Sequence, residues 1–340
     1  MLRAHQQPKG RAMLSIRKIL IPVKALNGRS HPAVLKAAQL ARAHGASLEL
    51  LHVLTAEMYP APLFGSQKFF TTFEIEARQT AIRRLEAIAD RLRMHSIKVT
   101  VSAKWDFPLH EAIIRHAADI KADLIVAGQH PGRHRLPWLM QLTDWELIRH
   151  SPVPLLLVKD PHPYRHPKIL AAIDPGHAHD KPQTLDREIL QIAGKWSKVL
   201  RGQLHVVHSY GSRRYEMAVE EVTPSMFAEF QRKARDLGLR RMTRAVAAQR
   251  IARNRQHLSD LPPADAIIKT ARQTHSAIVV MGIVSRTALK RFLIGSTAER
   301  VLDPLSCDVL IVKPRDFNSS VPSKIRGVPQ EGYPYPMMAV

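Results

Sequence analysis

The chain has 340 residues and a formal net charge of +22, from 51 Lys and Arg residues against 29 Asp and Glu residues. This length is enough for two domains with their own cores. The longest apolar runs are far shorter than the roughly 20 residues of a membrane helix, which predicts a soluble protein without membrane insertion. Residues 1–15 contain no apolar stretch of secretory-signal length and are predicted to be a disordered lead-in.

Short apolar runs alternate with helical patterns in the first half of the chain. Runs of this length, bounded by Gly or Pro and rich in Val, Ile and Leu, are typical of strands buried on both faces. The predicted strands are Lys18–Val23, Ser47–Leu54, Ile97–Val101, Ala122–Ala127 and Val153–Val158. The predicted helices are Pro32–His44, Glu74–His95, Leu109–Ile120 and Asp144–His150, and Tyr59–Phe73 is predicted to be irregular.

The same order of elements returns in the second half. The run that begins at Lys18 matches the run that begins at Lys168, 150 residues later, and Lys159 matches Lys313 at a distance of 154 residues. The predicted strands are Lys168–Ile173, Gln203–Ser209, Asn254–Leu258, Ala277–Met281 and Val309–Val312, and the predicted helices are Thr184–Arg201, Thr223–Ala248, Pro263–Thr274 and Thr297–Leu302. A repeat of this size indicates a duplicated domain.

Five strands alternating with helices in each repeat predict an α/β protein made of two tandem, doubly wound, five-stranded parallel-sheet domains of Rossmann-like type. We place the first domain at residues 16–160 and the second at 168–316, with a disordered tail at 317–340. The linker at 161–167 is short and stiffened by prolines. It therefore favours an intramolecular pseudo-dimer, and pairing into a further homodimer stays open.

A glycine loop follows the predicted strand Ala277–Met281. Gly282 is followed after two residues by Ser285, and after nine more by Gly295, Ser296 and Thr297. Hydroxyl residues cap helix N-termini, and the free N–H groups and dipole of such a terminus attract anions. Ligands of doubly wound sheets bind outside the carboxyl ends of the strands. The pattern predicts a nucleotide or small-anion site in the second domain, the alternative being a plain turn between strand and helix.

This spacing resembles the nucleotide loop of the universal stress protein family, in which Gly, two residues, Gly and nine residues precede Gly and then Ser or Thr. The two-repeat layout is similar to that of the tandem members. The segments that carry this similarity are Leu142–Arg149, Pro152–Asp160, Gly295–Glu299 and Cys307–Pro314. The resemblance implies a fold like that of adenine nucleotide alpha hydrolases, and a cytoplasmic binding or regulatory protein of the stress response. In ATP-binding members the loop wraps the phosphates and ribose, which implies ATP, accompanied by Mg²⁺, as the ligand.

The resemblance also implies a set of nucleotide-binding positions. Asp174 matches the acidic residue close to the nucleoside, and Ser209, after His208, matches the position beside the base, where valine is usual. Ser285 departs from the family's second glycine, and serine is strained wherever the backbone needs a positive φ. The candidate residues are Asp174, Ser209, Gly282, Ser285, Arg286, Gly295, Ser296 and Thr297.

The first domain departs further from the family pattern. Lys24 stands where the acidic residue is expected, and no Gly-Ser-Thr sequence follows Gly128 at the required distance. We therefore predict no ATP in the first domain. Its basic loop is either a solvated surface or a site for another anion; the residues concerned are Lys24, His130, Arg133, His134 and Arg135.

Motifs of several enzyme classes are missing from the sequence: there is no GxxxxGK[ST], no GxGxxG and no GxSxG. No catalytic residue is predicted, and we do not expect an enzyme; weak ATP hydrolysis is the enzymatic alternative. The pattern of His177 and His179 with Asp174 and Asp180 is too sparse to predict a metal site. Cys307, the only cysteine, starts a buried strand and is predicted to be a small core residue rather than a nucleophile.

The positive charge is spread over both halves of the chain, and one stretch of the second half, Arg232–Arg255, is especially basic. It contains nine Arg and Lys residues and one acidic residue, Asp236. Such a stretch suggests a second class of function, the binding of a polyanion such as nucleic acid or an anionic surface. Aromatic residues for base stacking are scarce there. A solvated basic face is the simpler interpretation.

Overall fold

The computed structural model describes residues 15–27, 31–55, 67–128, 137–176, 183–211, 223–283 and 296–324. The elements follow the predicted order. The strands are β1 (Lys18–Pro22), β2 (Ser47–Leu54), β3 (Val99–Trp105), β4 (Leu124–Gly128), β5 (Leu155–Val158), β6 (Lys168–Ile173), β7 (Gln203–Ser209), β8 (Gln256–Ser259), β9 (Ile278–Gly282) and β10 (Asp308–Val312). The helices are α1 (Pro32–His44), α2 (Gln67–Arg93), α3 (Leu109–Asp119), α4 (Pro137–His150), α5 (Gln183–Val199), α6 (Pro224–Val246), α7 (Pro263–Thr274) and α8 (Ser296–Leu302).

Most boundaries agree with the prediction to within two residues, and three differ by more. Helix α2 begins at Gln67, inside the stretch predicted to be irregular, since no Pro or Gly follows Gly65 to interrupt it. Helix α4 begins at Pro137, a residue that suits the first turn of a helix. Strand β3 continues to Trp105 because every residue from Val99 onwards has a partner on β2.

All ten strands form one sheet in the order β3-β2-β1-β4-β5-β10-β9-β6-β7-β8. The pairings inside each domain are parallel, as predicted. The two halves join through β5 and β10, which pair antiparallel with Leu156 opposite Leu310. This junction makes the pseudo-dimer one continuous sheet, with β3 and β8 at its edges.

In the described part of the chain, four helices cover each face of the sheet. One apolar cluster includes residues of α1, α2, α5 and α6, such as Leu40, Leu85 and Trp196. The other includes residues of α3, α4, α7 and α8, such as Ile113 and Val301. The protein is thus a three-layer α/β/α structure, and the carboxyl ends of the strands of each domain lie at one margin of the sheet.

At the junction, one lysine of each domain donates hydrogen bonds to backbone carbonyl oxygens of the other domain. Lys159, after β5, donates to the carbonyl oxygen of Leu302, the last residue of α8, and to that of Leu305 just beyond the helix, at 2.7 Å. Lys313, after β10, donates to the carbonyl oxygen of Arg149 in α4 at 3.3 Å. Burial lowers the pKa of Lys159, and it lowers the pKa of Lys313 to about 8. Each cation meets the negative end of a helix of the other domain.

A buried carboxylate reinforces the junction. Asp308 of β10 is fully buried, and its Oδ2 accepts from Lys36 Nζ of α1 and from the Tyr164 hydroxyl of the linker, both at 2.5 Å. Its Oδ1 accepts from the backbone N–H groups of Lys159 at 2.9 Å and Asp160 at 3.0 Å. The linker is therefore packed against both domains rather than free.

A second buried carboxylate lies inside the first domain. Glu49 of β2 accepts hydrogen bonds from Ser102 at 2.6 Å and from Thr100, and His116 Nε2 lies 3.2 Å from Glu49 Oε1. Burial raises the pKa of Glu49, but these hydrogen bonds outweigh burial and lower the pKa to about 2. Glu49 therefore stays ionised at neutral pH.

The segment after β10 packs further than predicted. Ser319 donates to the carbonyl oxygen of His150 at 2.8 Å, and Val321 contacts an apolar cluster. The first residues of the predicted disordered tail thus lie on α4, while residues 325–340 are outside the described part of the chain. Among the described residues, no helix has the length and apolar character needed to cross a membrane.

Candidate functional site

Three of the predicted site residues lie together at the carboxyl margin of the second domain. Asp174 directly follows β6, and Ser209 and Gly282 end β7 and β9. The registers place Ile173 opposite His208, and Ala172 opposite Met281. Because the chain leaves β6 for β7 on one side and returns through β9 on the other, this is the switch point at which doubly wound sheets bind ligands.

The backbone N–H of Asp174 is hydrogen-bonded, and a cation lies near its side chain. Its N–H donates to both carboxylate oxygens of Asp186 in α5, at 3.2 Å each. Arg241 of α6 reaches the same place: a Cβ atom on Gly176 would lie 2.9 Å from Arg241 Nη1 and 3.5 Å from Asp174 Oδ1. The half-buried Asp174 carboxylate and the exposed Arg241 guanidinium therefore flank one small turn.

Helix α6 closes over the end of β7. A Cβ atom on Gly238 would lie 3.0 Å from Tyr210 Cβ and 3.7 Å from His208 Nε2, so a glycine at this position lets the helix approach closely. His208 is buried, and its Nδ1 has no hydrogen-bond partner among the described residues. Burial lowers the pKa of His208 against the opposing effect of Asp174, so the imidazole is neutral at pH 7.

Ser209 and Gly282 each have a structural role as well. The Ser209 hydroxyl lies 2.5 Å from the carbonyl oxygen of Leu261, which it meets as a donor, so its proton is already engaged by the protein. A Cβ atom on Gly282 would lie 2.7 Å from Leu185 Cδ2 and 3.1 Å from Ile189 Cδ1. Gly282 is thus required for the packing of α5 against β9, whether or not a ligand binds.

The rest of the predicted loop is only partly within the described residues. Ser285, Arg286 and Gly295 lie outside them, whereas Ser296 and Thr297 form the first turn of α8. Because α8 connects the carboxyl end of β9 to the start of β10, its N-terminus faces the same margin as Asp174. The backbone therefore brings five of the eight predicted residues to one margin of the sheet: Asp174, Ser209, Gly282, Ser296 and Thr297.

The corresponding margin of the first domain is bridged by an ion pair. Lys24 Nζ lies 2.8 Å from Asp144 Oδ1 of α4, and both side chains are mostly buried. Asp144 lies 154 residues before Ala298, so the first domain has a carboxylate where the second has a methyl group. The other residues predicted for this basic loop, His130, Arg133, His134 and Arg135, are outside the described residues.

Comparison with known proteins decides the family. The model of the universal stress protein family matches residues 15–159 and again residues 167–313. The chain belongs to the universal stress protein family. It carries two universal stress domains in tandem, as the repeat and the glycine loop predicted.

Within the family, the chain is similar to tandem members of the E type. The chain is 27% identical over 233 residues to universal stress protein E of Escherichia coli, covering 66% of this chain and 71% of that protein. Four segments predict similarity to the E type, and the match to this relative confirms that prediction; they are Leu142–Arg149, Pro152–Asp160, Gly295–Glu299 and Cys307–Pro314. A universal stress protein structure from Pseudomonas aeruginosa superposes with a TM-score of 0.66 at 26% identity, over 90% of this chain and 96% of that one. One from Archaeoglobus fulgidus gives a TM-score of 0.59 at 18% identity, over 89% and 99% of the two chains.

The geometry of the universal stress domain adds residues that the sequence reasoning missed. Arg241 lies far from Asp174 in the sequence, Asp186 lies twelve residues after it, and no loop motif includes either of them. The sequence pattern indicates His208 only as the residue that precedes Ser209. The one signal in the sequence is the high density of arginine around Arg241, for which a solvated basic face is the simpler interpretation and a polyanion surface the alternative.

Two further observations concern possible metal ligands and the one cysteine of the chain. The described residues contain no group of three or more His, Cys, Asp and Glu side chains able to hold a metal ion, and His177, His179 and Asp180 lie outside them. Burial raises the pKa of the Cys307 thiol to about 11. The thiol therefore stays protonated at neutral pH, a poor nucleophile.

Proposed function

We propose that the second universal stress domain binds one adenine nucleotide at the switch point between β6 and β9, and that the first domain binds none. The observation that carries this proposal is the contrast between the two margins. In the second domain Asp174, Gly282 and the start of α8 surround a margin without a bridging ion pair between described residues. In the first domain Lys24 and Asp144 span it.

The charges suggest how the nucleotide is oriented. A carboxylate repels phosphate, so Asp174 is suited to the hydroxyl groups of the nucleoside, and the phosphates belong near the N-terminus of α8. Arg241 provides the opposite charge beside Asp174 and acts as a positioning residue. Mg²⁺ would accompany the phosphates as part of the ligand.

The test is isothermal titration with ATP and Mg²⁺ at constant ionic strength. Asp174→Asn removes one charge-assisted hydrogen bond, about 1.5 kcal/mol, and should weaken binding about tenfold. Arg241→Ala should weaken it about fivefold, whereas Arg240→Ala, which removes another exposed cation from the same helix, should leave it unchanged. Equal losses in the two arginine variants would assign the effect to net charge and refute the proposed role of Arg241.

The biological role that follows is that of a cytoplasmic regulatory protein whose second domain reports on nucleotide and whose first domain is structural. The membership of the stress-protein family supports this role. Turnover is not part of the proposal. A phosphate-release assay tests the alternative of a weak ATPase, which requires activity that disappears together with ATP binding in Asp174→Asn.

The basic surface supports a second candidate function, polyanion binding. Along α6, Arg232, Arg235, Arg240 and Arg244 are exposed and have no ion-pair partner among the described residues. Binding to such a surface depends steeply on salt: six to ten phosphate contacts lose about 10³-fold to 10⁵-fold in affinity between 50 and 200 mM salt. An oligonucleotide titration at both concentrations separates this function from the formed ATP site.

A further inference from the structure

A small basic cavity lies at the opposite margin of the second domain. Its volume is about 210 Å³, and it is bounded by the end of α5, the start of β7 and the turns between α6 and β8. Strand β7 has seven residues, so at about 3.3 Å per residue this margin lies about 20 Å from Ser209. We call this cavity, lined among others by Lys198, Arg250 and Arg255, the amino-edge pocket.

The lining of the amino-edge pocket has one sign of charge. Lys198, Arg250 and Arg255 line it together with small and neutral residues, and no carboxylate is among the lining residues. None of these three side chains has a hydrogen bond or an ion pair with another described residue. Three cations around one small cavity repel one another within a Debye length of about 8–10 Å, and a bound anion would relieve this repulsion.

The cations are not needed to cap the end of α5. The carbonyl oxygen of Gly194 accepts from Ser197 Oγ at 2.9 Å, that of Ser197 from the Gly202 N–H at 2.7 Å, and that of Lys198 from the Arg201 N–H at 3.1 Å. Because these carbonyl oxygens are already paired, the negative end of the α5 dipole repels a bound anion less strongly. The charges of Lys198, Arg250 and Arg255 remain available to a ligand.

A neighbouring histidine lies in the same positive electrostatic field. His205 on β7 is buried and stacks on His257 at 5.4 Å between ring centroids. Burial, then His257, Lys168 and Arg255, lower the pKa of His205 to about 4. Protonation at this margin is thus opposed by positive charge as well as by burial.

We propose that the amino-edge pocket binds the phosphate group of a small phosphorylated molecule. Arginine presents planar donor pairs that match phosphate oxygens, and lysine adds a point charge. The cavity has room for a phosphate with a small organic group. It is short for a nucleic-acid strand, which needs a groove several nucleotides long.

Inorganic phosphate is the first probe. We expect titration of the full chain with phosphate, in a buffer without other multivalent anions, to shift the backbone amide signals of Gly194 and Gly202, whether or not that of Gly282 also moves. Because these signals locate the phosphate in the native protein, the result does not depend on whether a variant folds. Shifts at Gly282 without shifts at Gly194 and Gly202 would move the phosphate to the nucleotide margin and overturn the proposal.

A second experiment compares the phosphate affinity of substituted proteins. The double substitution Arg250→Ala with Arg255→Ala should weaken phosphate at least tenfold and leave ATP affinity unchanged. Arg253→Ala is the matched control, since this exposed arginine lies between them in sequence and does not line the pocket. Equal losses in the control would mean a general charge effect, and tight binding of an oligonucleotide that depends on all three arginines would assign the surface to nucleic acid instead. Because the margins are separate, loss of ATP binding in Asp174→Asn leaves the phosphate result intact.

Discussion

The buried carboxylate at the domain junction gives the sharpest stability prediction. Asp308 is fully buried and Lys36 is 1% exposed, so neither charge is solvated by water. Asp308→Asn keeps the oxygen that accepts from the backbone. It replaces the other oxygen with an NH₂ group that faces Lys36 and Tyr164, both of which are donors.

The size of the effect follows from this geometry. Removing one partner of a buried ion pair leaves an uncompensated charge and costs about 3–5 kcal/mol. At about 2 °C per kcal/mol for a large domain, the unfolding midpoint should fall by about 6–10 °C. Adding Lys36→Met to Asp308→Asn removes the orphaned charge, and we expect most of the stability to return.

Urea unfolding followed by circular dichroism, with thermal melting beside it, measures these changes. Asp265→Asn is the control: Asp265 pairs with Arg300 at 3.2 Å, but both side chains are 41% exposed, so the pair is worth about 0.5 kcal/mol or less. If Asp308→Asn costs no more than Asp265→Asn, or if Lys36→Met lowers stability further, the reasoning about the junction is wrong.

Three further predictions concern packing and pH. Gly282→Ala places a methyl group 2.7 Å from Leu185 and should cost about 1–3 kcal/mol by overpacking, whereas its counterpart Gly128→Ala, with its nearest atom at 3.5 Å, should cost little; urea unfolding compares them. Hydrogen bonding depresses the pKa of Glu49 to about 2, so its stabilisation is present above pH 4.5 and is lost as the pH falls towards 2; Glu49→Gln should flatten this part of the stability–pH curve. Burial depresses the pKa of Lys313 to about 8, so the unfolded chain binds the proton more tightly, and stability should rise between pH 8 and 10.5 in the native protein but not in Lys313→Met.

Much of the fold is legible in the sequence because buried parallel strands have a simple pattern. The apolar runs at Lys18 and Lys168 are bounded, short and repeated, and they became β1 and β6 within a residue. The pairing of β5 with β10 was not predictable in this way. A run such as Leu155–Val158 is apolar on both faces and does not encode which strand lies beside it, so the single ten-stranded sheet had to be observed.

The candidate site likewise contains some residues that could be predicted from the sequence and others that could not. Asp174 and Gly282 could be named because the resemblance to the family pattern implies them at the ends of short apolar runs, which are readable in the sequence. Arg241 could not, since its distance from Asp174 is set by how α6 crosses the end of β7. The bridge between Lys24 and Asp144 joins residues 120 positions apart. The sequence showed that Lys24 replaces an acid, but its partner depends on the tertiary packing of α4.

The central claim is one nucleotide site per chain, in the second domain. Isothermal titration of ATP with Mg²⁺ measures it directly as a stoichiometry, with Asp174→Lys as the decisive variant because it copies the residue of the first domain. We predict one ATP per chain for the native protein and none for Asp174→Lys. Two sites per chain, or one site that survives in Asp174→Lys, would contradict this account.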